Sequence, residues 1–122
     1  MDAVQKDLQD KLAHTSLSAR QAREGITACF ILTNRKFLRR RLGDERPTDE
    51  IDAATRALVD QVYAEQGISA RNPTLPDLRR AWRTLDEQLG FEADPDLMAH
   101  HVQVIERLFE LAKGGKASER TL

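Results

Sequence analysis

The stretch from Ala19 to Leu42 constrains the fold of this chain more than any other part of it. Ser18 followed by Gln21 is a capping-box signature at its start, and Gly43 is suited to a C-cap at its end. Between them, Ile26-Thr27-Ala28-Cys29-Phe30-Ile31-Leu32 is apolar nearly all round. An unbroken helix over the whole stretch is roughly 35 Å long. A helix that is apolar on every side belongs at the centre of a bundle, so the rest of the chain must supply helices to surround it. Gly25 lies inside this pattern, where it costs about 1 kcal/mol against Ala. It marks either close helix packing or a kink.

The remaining punctuation divides the chain into four further helical segments. Ala3 to His14 carries Val4, Leu8 and Leu12 at four-residue spacing, a stripe too narrow to hold a helix by itself, so it must dock onto something. Glu50 to Gln66 follows a cap at Thr48 or Asp49, with Ile51, Ala54, Leu58 and Val62 as its core stripe and Val59 and Tyr63 widening it. Gly67-Ile68 stops it. Pro76 to Leu89 repeats Leu78, Trp82, Leu85 and Leu89, with Thr74 or Leu75 at its cap and Gly90-Phe91 at its end. Asp94-Pro95 opens a last helix to Lys113, lined by Leu97, His101, Ile105, Leu108 and Ala112, with Gly114-Gly115 as its stop. The expectation is an all-α fold: a compact bundle of about five helices, mostly antiparallel neighbours, with the Ala3–His14 helix short and docked across it. Residues 1–113 form one helical domain and 114–122 a polar flexible tail.

Composition agrees with that class. Aromatic residues are only 5% of the chain, against 32% charged and 40% hydrophobic, a balance that favours helices over strands and a folded chain over a disordered one. The formal net charge of −1 gives no global push toward nucleic acid, membrane or acidic substrates. Cys29 is the single cysteine, so no intrachain disulfide can form. The start of the chain lacks the basic-then-apolar pattern of a signal peptide, and the Ile26–Leu32 run is too short to span a bilayer. A reducing, cytoplasmic location is the expectation.

Local charge is less even. Arg35, Lys36, Arg39, Arg40 and Arg41 crowd the end of the Ala19–Leu42 segment, with Arg46 soon after, and Arg79, Arg80 and Arg83 recur in the Pro76–Leu89 segment. If these segments are adjacent, they form a surface able to neutralise several phosphates. The competing explanation is that cations at a helix C-terminus complement its dipole, with Asp44, Glu45, Asp49, Glu50 and Asp52 nearby to pair them. A helix-turn-helix is disfavoured: the last helix opens among acidic residues, and the Gly90–Asp94 connector fits a plain αα-hairpin.

Chemistry-bearing patterns are sparse. His100 and His101 are adjacent and point apart on a helix; His101 has Leu97 and Ile105 four positions away, and His100 is followed at three and four positions by Gln103 and Val104. His101 falls on the apolar stripe, the place of a hydrogen-bonded core or interface histidine. Cys29 sits in an apolar segment, where a thiol acts as a small hydrophobe. Trp82 belongs to the Leu78–Leu85–Leu89 stripe and so to core packing. No phosphate loop, nucleophile elbow or di-iron carboxylate pattern is present. No catalytic residue, metal or cofactor is expected, and no small-molecule substrate is indicated. By elimination the expected function is a non-catalytic helical protein-interaction module, a homo-oligomer or small accessory or regulatory subunit, with Val4, Leu8 and Leu12 as the candidate apolar docking stripe. The alternative is a nucleic-acid-associated protein using the Arg35–Arg46 cluster with Arg79, Arg80 and Arg83.

Overall fold

A computed structural model describes the backbone of residues 17–121 and the side chains of residues 17–113. The predicted Ala3–His14 helix and its Val4, Leu8 and Leu12 stripe lie outside the described residues. Within them the order is α1 (Ala19–Leu42), α2 (Thr48–Glu65), α3 (Leu75–Leu89), a 3-10 turn at Phe91–Ala93, and α4 (Pro95–Thr121).

Local signals set most of the boundaries. The Ser18 hydroxyl accepts the Gln21 N–H at 3.1 Å, and the Gln21 side chain accepts the Ser18 N–H at 2.9 Å, completing the capping box of α1. Gly43 closes α1 at φ 61°, a left-handed conformation that strains any residue with a Cβ. Thr74 caps α3 through the Asp77 N–H, and Asp94 caps α4 through the Leu97 N–H.

Two boundaries differ from expectation. The side chain of Thr48 does not cap α2; it accepts a hydrogen bond from Arg39, and the first turn of α2 is closed instead on the Pro47 carbonyl. α4 does not stop at Lys113 but continues through Gly114-Gly115 to Thr121. Each glycine weakens a helix by about 1 kcal/mol without removing a hydrogen-bond donor, so the ladder can run on where a proline would break it.

The direction of packing follows from which side chains meet. Between α1 and α2, Thr27 meets Tyr63, Asn34 meets Thr55 and Arg35 meets Asp52. Between α1 and α4, Gly25 lies against Leu108, Cys29 against His101 and Arg41 against Asp94. Between α3 and α4, Trp82 stacks on Phe109 and Asp86 reaches His101. In all three pairs the numbers run in opposite senses, so sequential helices are antiparallel and α1 and α4 close the bundle. α3 and α4 form the expected αα-hairpin.

Ile26 and Phe30 of α1 are fully buried, among Val59 and Val62 of α2, Leu78 and Leu85 of α3, Phe91, and Ile105 and Phe109 of α4. α1 is therefore the central helix that its apolar run requires. Gly25 is a close-packing site, not a kink: a Cβ there would stand 3.0 Å from Leu108 Cδ2. The α2 stripe is rotated from the expected one. Ala54 is exposed and Leu58 only partly buried, while Thr55 is buried. Asn34 causes this: its Nδ2–H donates to Thr55 Oγ1 at 2.9 Å, and the Thr55 hydroxyl donates on to the Ile51 carbonyl at 2.9 Å. A hydroxyl with both partners supplied can be buried at little cost.

Candidate functional site

One group of polar side chains lies inside this core rather than at its edge. Cys29 and Thr33, four residues apart, share one face of α1. His101 projects from the facing side of α4, and Asp86 from α3. The imidazole is wholly shielded from solvent and packs edge-on between Phe30 and Phe91, at centroid distances of 4.6 and 5.0 Å. Its Nε2 lies 3.0 Å from Asp86 Oδ1. Its Nδ1 lies 3.0 Å from Thr33 Oγ1 and 3.4 Å from Cys29 Sγ.

These contacts fix the tautomer. A carboxylate only accepts, so Nε2 carries the hydrogen and donates to Asp86. With one hydrogen on the ring, Nδ1 is then a lone pair, facing the Thr33 hydroxyl at 3.0 Å and the Cys29 thiol at 3.4 Å. A ring held this way by a carboxylate is oriented to take a proton from either group. Burial pushes the Cys29 thiol above its ordinary value; the neighbouring Thr33 hydroxyl opposes this, and the Asp86 charge adds to it. The thiol therefore keeps its proton at neutral pH.

Cys29 also lies at the inner end of a cleft of about 90 Å³ between α1 and α4, whose rim holds Leu32, Lys36, His100 and Val104. A second hollow, of about 330 Å³, lies between α1 and α2 and is lined by Arg23, Glu24, Thr27, Arg56 and Asp60. Its two cations and two carboxylates balance one another. Among the described residues no three of His, Cys, Asp and Glu converge in a way that could hold a metal ion. Asp86 and Cys29 face opposite nitrogens of the same ring, so they cannot ligate one ion together with it.

The arginines at the end of α1 meet partners of their own. Arg35 forms a two-pronged pair with Asp52, and Arg39 donates to the Asp44 carbonyl and to Thr48. Arg40 and Arg41 approach Asp94 Oδ2 at 3.6 and 3.3 Å. Burial alone would raise the Asp94 carboxyl, but the Arg41 guanidinium 3.3 Å away, the Leu97 N–H and the charge of Arg40 hold it below the usual carboxylate value. Lys36 is exposed. On α3, Arg79 lies over the Phe109 ring at 4.3 Å, and Arg80 reaches Asp77 and Gln66. Arg83 is exposed.

The two basic groups are not adjacent. Arg39 touches Thr48, the first residue of α2, and Arg80 touches Gln66, just beyond its last. They border opposite ends of a helix roughly 27 Å long. The bundle therefore does not assemble the joint basic surface that adjacency would have made.

An apolar face that the described residues leave uncovered is the remaining feature. Ala28, Leu32 and Lys36 lie along one side of α1 and are exposed, Leu32 to 49%. Leu42 is exposed at the end of the helix. The apolar run of α1 is buried on most sides but not on this one. The chain enters the described fold on the α1–α4 side, where the Leu17 N–H bonds the Leu111 carbonyl.

His101 was legible in the sequence as a hydrogen-bonded core residue. The grouping around it was not, because Asp86, Cys29 and His101 come from three helices whose relative register no local pattern encodes. Among the described residues no helix is long and apolar enough to cross a membrane. No protein-family model matches the chain, and neither a curated protein nor a solved structure matches it.

Proposed function

We propose that this chain is a non-catalytic helical protein-interaction module, working as a homo-oligomer or as a small accessory subunit in the cytoplasm. The observation that carries this reading is the uncovered Ala28–Leu32–Lys36 face of α1. Leu32 stays half exposed in the most apolar segment of the chain, beside the partly buried Val104 of α4. A short apolar row flanked by Lys36 and His100 fits an amphipathic helix that brings acidic residues at its edges. The Val4–Leu8–Leu12 stripe, flanked by Asp7 and Asp10 as well as Lys6 and Lys11, supplies such an apolar row with charged edges and belongs to the segment that precedes Leu17. It is the occupant favoured here, from the same chain or from a second copy.

Two observations support the non-catalytic part. The cleft over Cys29 is about 90 Å³, against the several hundred Å³ typical of small-molecule sites. Its thiol is held protonated by burial. The nucleic-acid reading draws less support: Arg35, Arg39, Arg40, Arg41, Arg79 and Arg80 are engaged within the bundle, and the two basic groups are far apart.

The test is light scattering on the full chain and on Leu32→Glu, with affinity capture of both before and after nuclease treatment. A mass above one chain, or a stoichiometric protein partner resistant to nuclease, that is lost in Leu32→Glu supports the module. A melting temperature lowered by Leu8→Glu in a monomer places the stripe in cis. If Leu32→Glu changes neither mass nor captured proteins, and Leu8→Glu leaves the melting temperature unmoved, the reading fails. Material released by nuclease would favour the basic residues instead.

A further inference from the structure

We propose that the Ala3–His14 segment folds back on its own chain, antiparallel to α1, and closes the groove between α1 and α4, so that a partner of the Leu32 face must displace it. This rests on reading that face as an occupied one, and it commits the occupant to the same chain.

The shape of the surface is the first observation. Beside the exposed Ala28 and Leu32 of α1, the α4 residues Val104, Leu108 and Leu111 are only partly buried. Their spacing of four and then three residues sets them in one row along α4. Val104 and Leu32 line the same cleft, and Leu108 lies over Gly25. The two helices therefore border one continuous apolar groove. Its α4 row is roughly 10 Å long, and the Val4–Leu8–Leu12 stripe is roughly 12 Å long as a helix.

The entry of the chain is the second. The Leu17 N–H bonds the Leu111 carbonyl at 3.3 Å. The residue that follows the segment is thereby held at one end of the groove, on the α4 side of α1. Only Thr15 to Ser18 separate the segment from the first residue of α1. A connection of that length turns one helix back antiparallel to the next. Running back from Leu17, the stripe meets the groove in order: Leu12 beside Gln21 and Leu111, Leu8 beside Gly25 and Leu108, and Val4 beside Val104 and the Ala28–Leu32 step.

The short tether favours the same chain over a second copy. Three apolar side chains hold a helix only weakly, so what they dock on depends on local concentration. A short flexible tether presents the segment to its own groove at an effective concentration in the millimolar range, which free chains reach only at that protein concentration. The closed groove in turn lowers the apparent affinity of anything else that binds there by the fraction of time it stands open.

The experiment places a diazirine side chain at position 4 or 12 of the full chain and mixes it with isotope-labelled chains that lack the probe. After illumination, mass spectrometry maps the insertion. Position 4 should mark Ala28, Leu32 or Val104, and position 12 should mark Gln21 or Leu111, all in the unlabelled chain. Insertion into labelled chains, into α2 or α3, or into solvent alone would overturn the proposal. A fluorescent peptide of the Ala3–His14 sequence then probes the groove directly. It should bind full-length Leu8→Glu, whose own segment is released, about tenfold more tightly than the parent, and adding Leu32→Glu should remove that binding. Binding to the parent as tight as to Leu8→Glu would contradict a closed groove. The two readings fail separately. Insertion into labelled chains overturns closure within one chain and leaves a homo-oligomer. Insertion within one chain, with captured proteins unchanged by Leu32→Glu, upholds the closure and removes the interaction module.

Discussion

Leu108 rests on the bare backbone of Gly25: a Cβ at that position would stand 3.0 Å from its Cδ2 and 3.1 Å from its Cδ1. Here α1 and α4 meet without an intervening side chain. A branched residue at position 25 must push Leu108 aside within a packed core. Gly25→Val should destabilise the protein by about 1–3 kcal/mol. Pairing it with Leu108→Ala should recover part of that loss, because the smaller side chain vacates the space. A thermal or urea double-mutant cycle checks this, and strictly additive effects would mean that the two residues are not in contact.

Leu85 is fully buried and Leu108 only partly so. Leu85→Ala should therefore cost about 2–5 kcal/mol, and Leu108→Ala measurably less. Urea midpoints of the two variants order them directly. A larger loss at Leu108 would contradict the orientation of α4 described above.

The Asn34–Thr55 pair predicts a contrast between neighbouring residues of α2. Thr55→Val removes the acceptor of the Asn34 amide and leaves a buried donor without a partner, at about 1–3 kcal/mol. Ala54→Ser, on the exposed side, should stay within about 0.5 kcal/mol of the parent. Equal effects at the two positions would restore the Ile51–Ala54–Leu58–Val62 stripe.

Acid should weaken the fold through carboxylates that arginines hold down. Asp44 is lowered to about 2 by the Arg46 side chain and backbone N–H, Asp52 is lowered by Arg35, and Asp94 is lowered against its own burial. Each binds a proton more readily unfolded, near pH 3.9, than folded. Stability from these groups is therefore present above about pH 4 and is lost as pH falls toward 2. Asp94 is the most shielded of these carboxylates, at 1% exposure, and so the one whose charge can be tested with least solvent screening on its own side. Asp94→Asn keeps a good helix cap but not the charge. Its melting temperature should lie below the parent's at pH 6, and the gap should shrink as pH falls from 4 to 2. A gap independent of pH would show that the carboxylate charge is not what stabilises this corner.

The sequence by itself determined the four described helices and their order. The Ser18–Gln21 box, Gly43, Thr74, Gly90 and Asp94-Pro95 act on backbone groups within a few residues, so their effects can be read without knowing the fold. The apolar run of α1 likewise required a central helix, because burial follows from composition all round its axis. Tertiary structure decided what depends on rotation and register between helices. It buried Thr55 instead of Ala54, since Asn34 on another helix supplies the partner a hydroxyl needs. It turned the arginines of α1 toward Asp52 and Asp94 and set those of α3 at the other end of α2. It left Leu32 facing outward from an otherwise buried run. It also brought Asp86, His101 and Cys29 into one line. Each of these relationships joins residues far apart in sequence through a rotation of a helix about its axis, a quantity fixed only when all the helices pack at once.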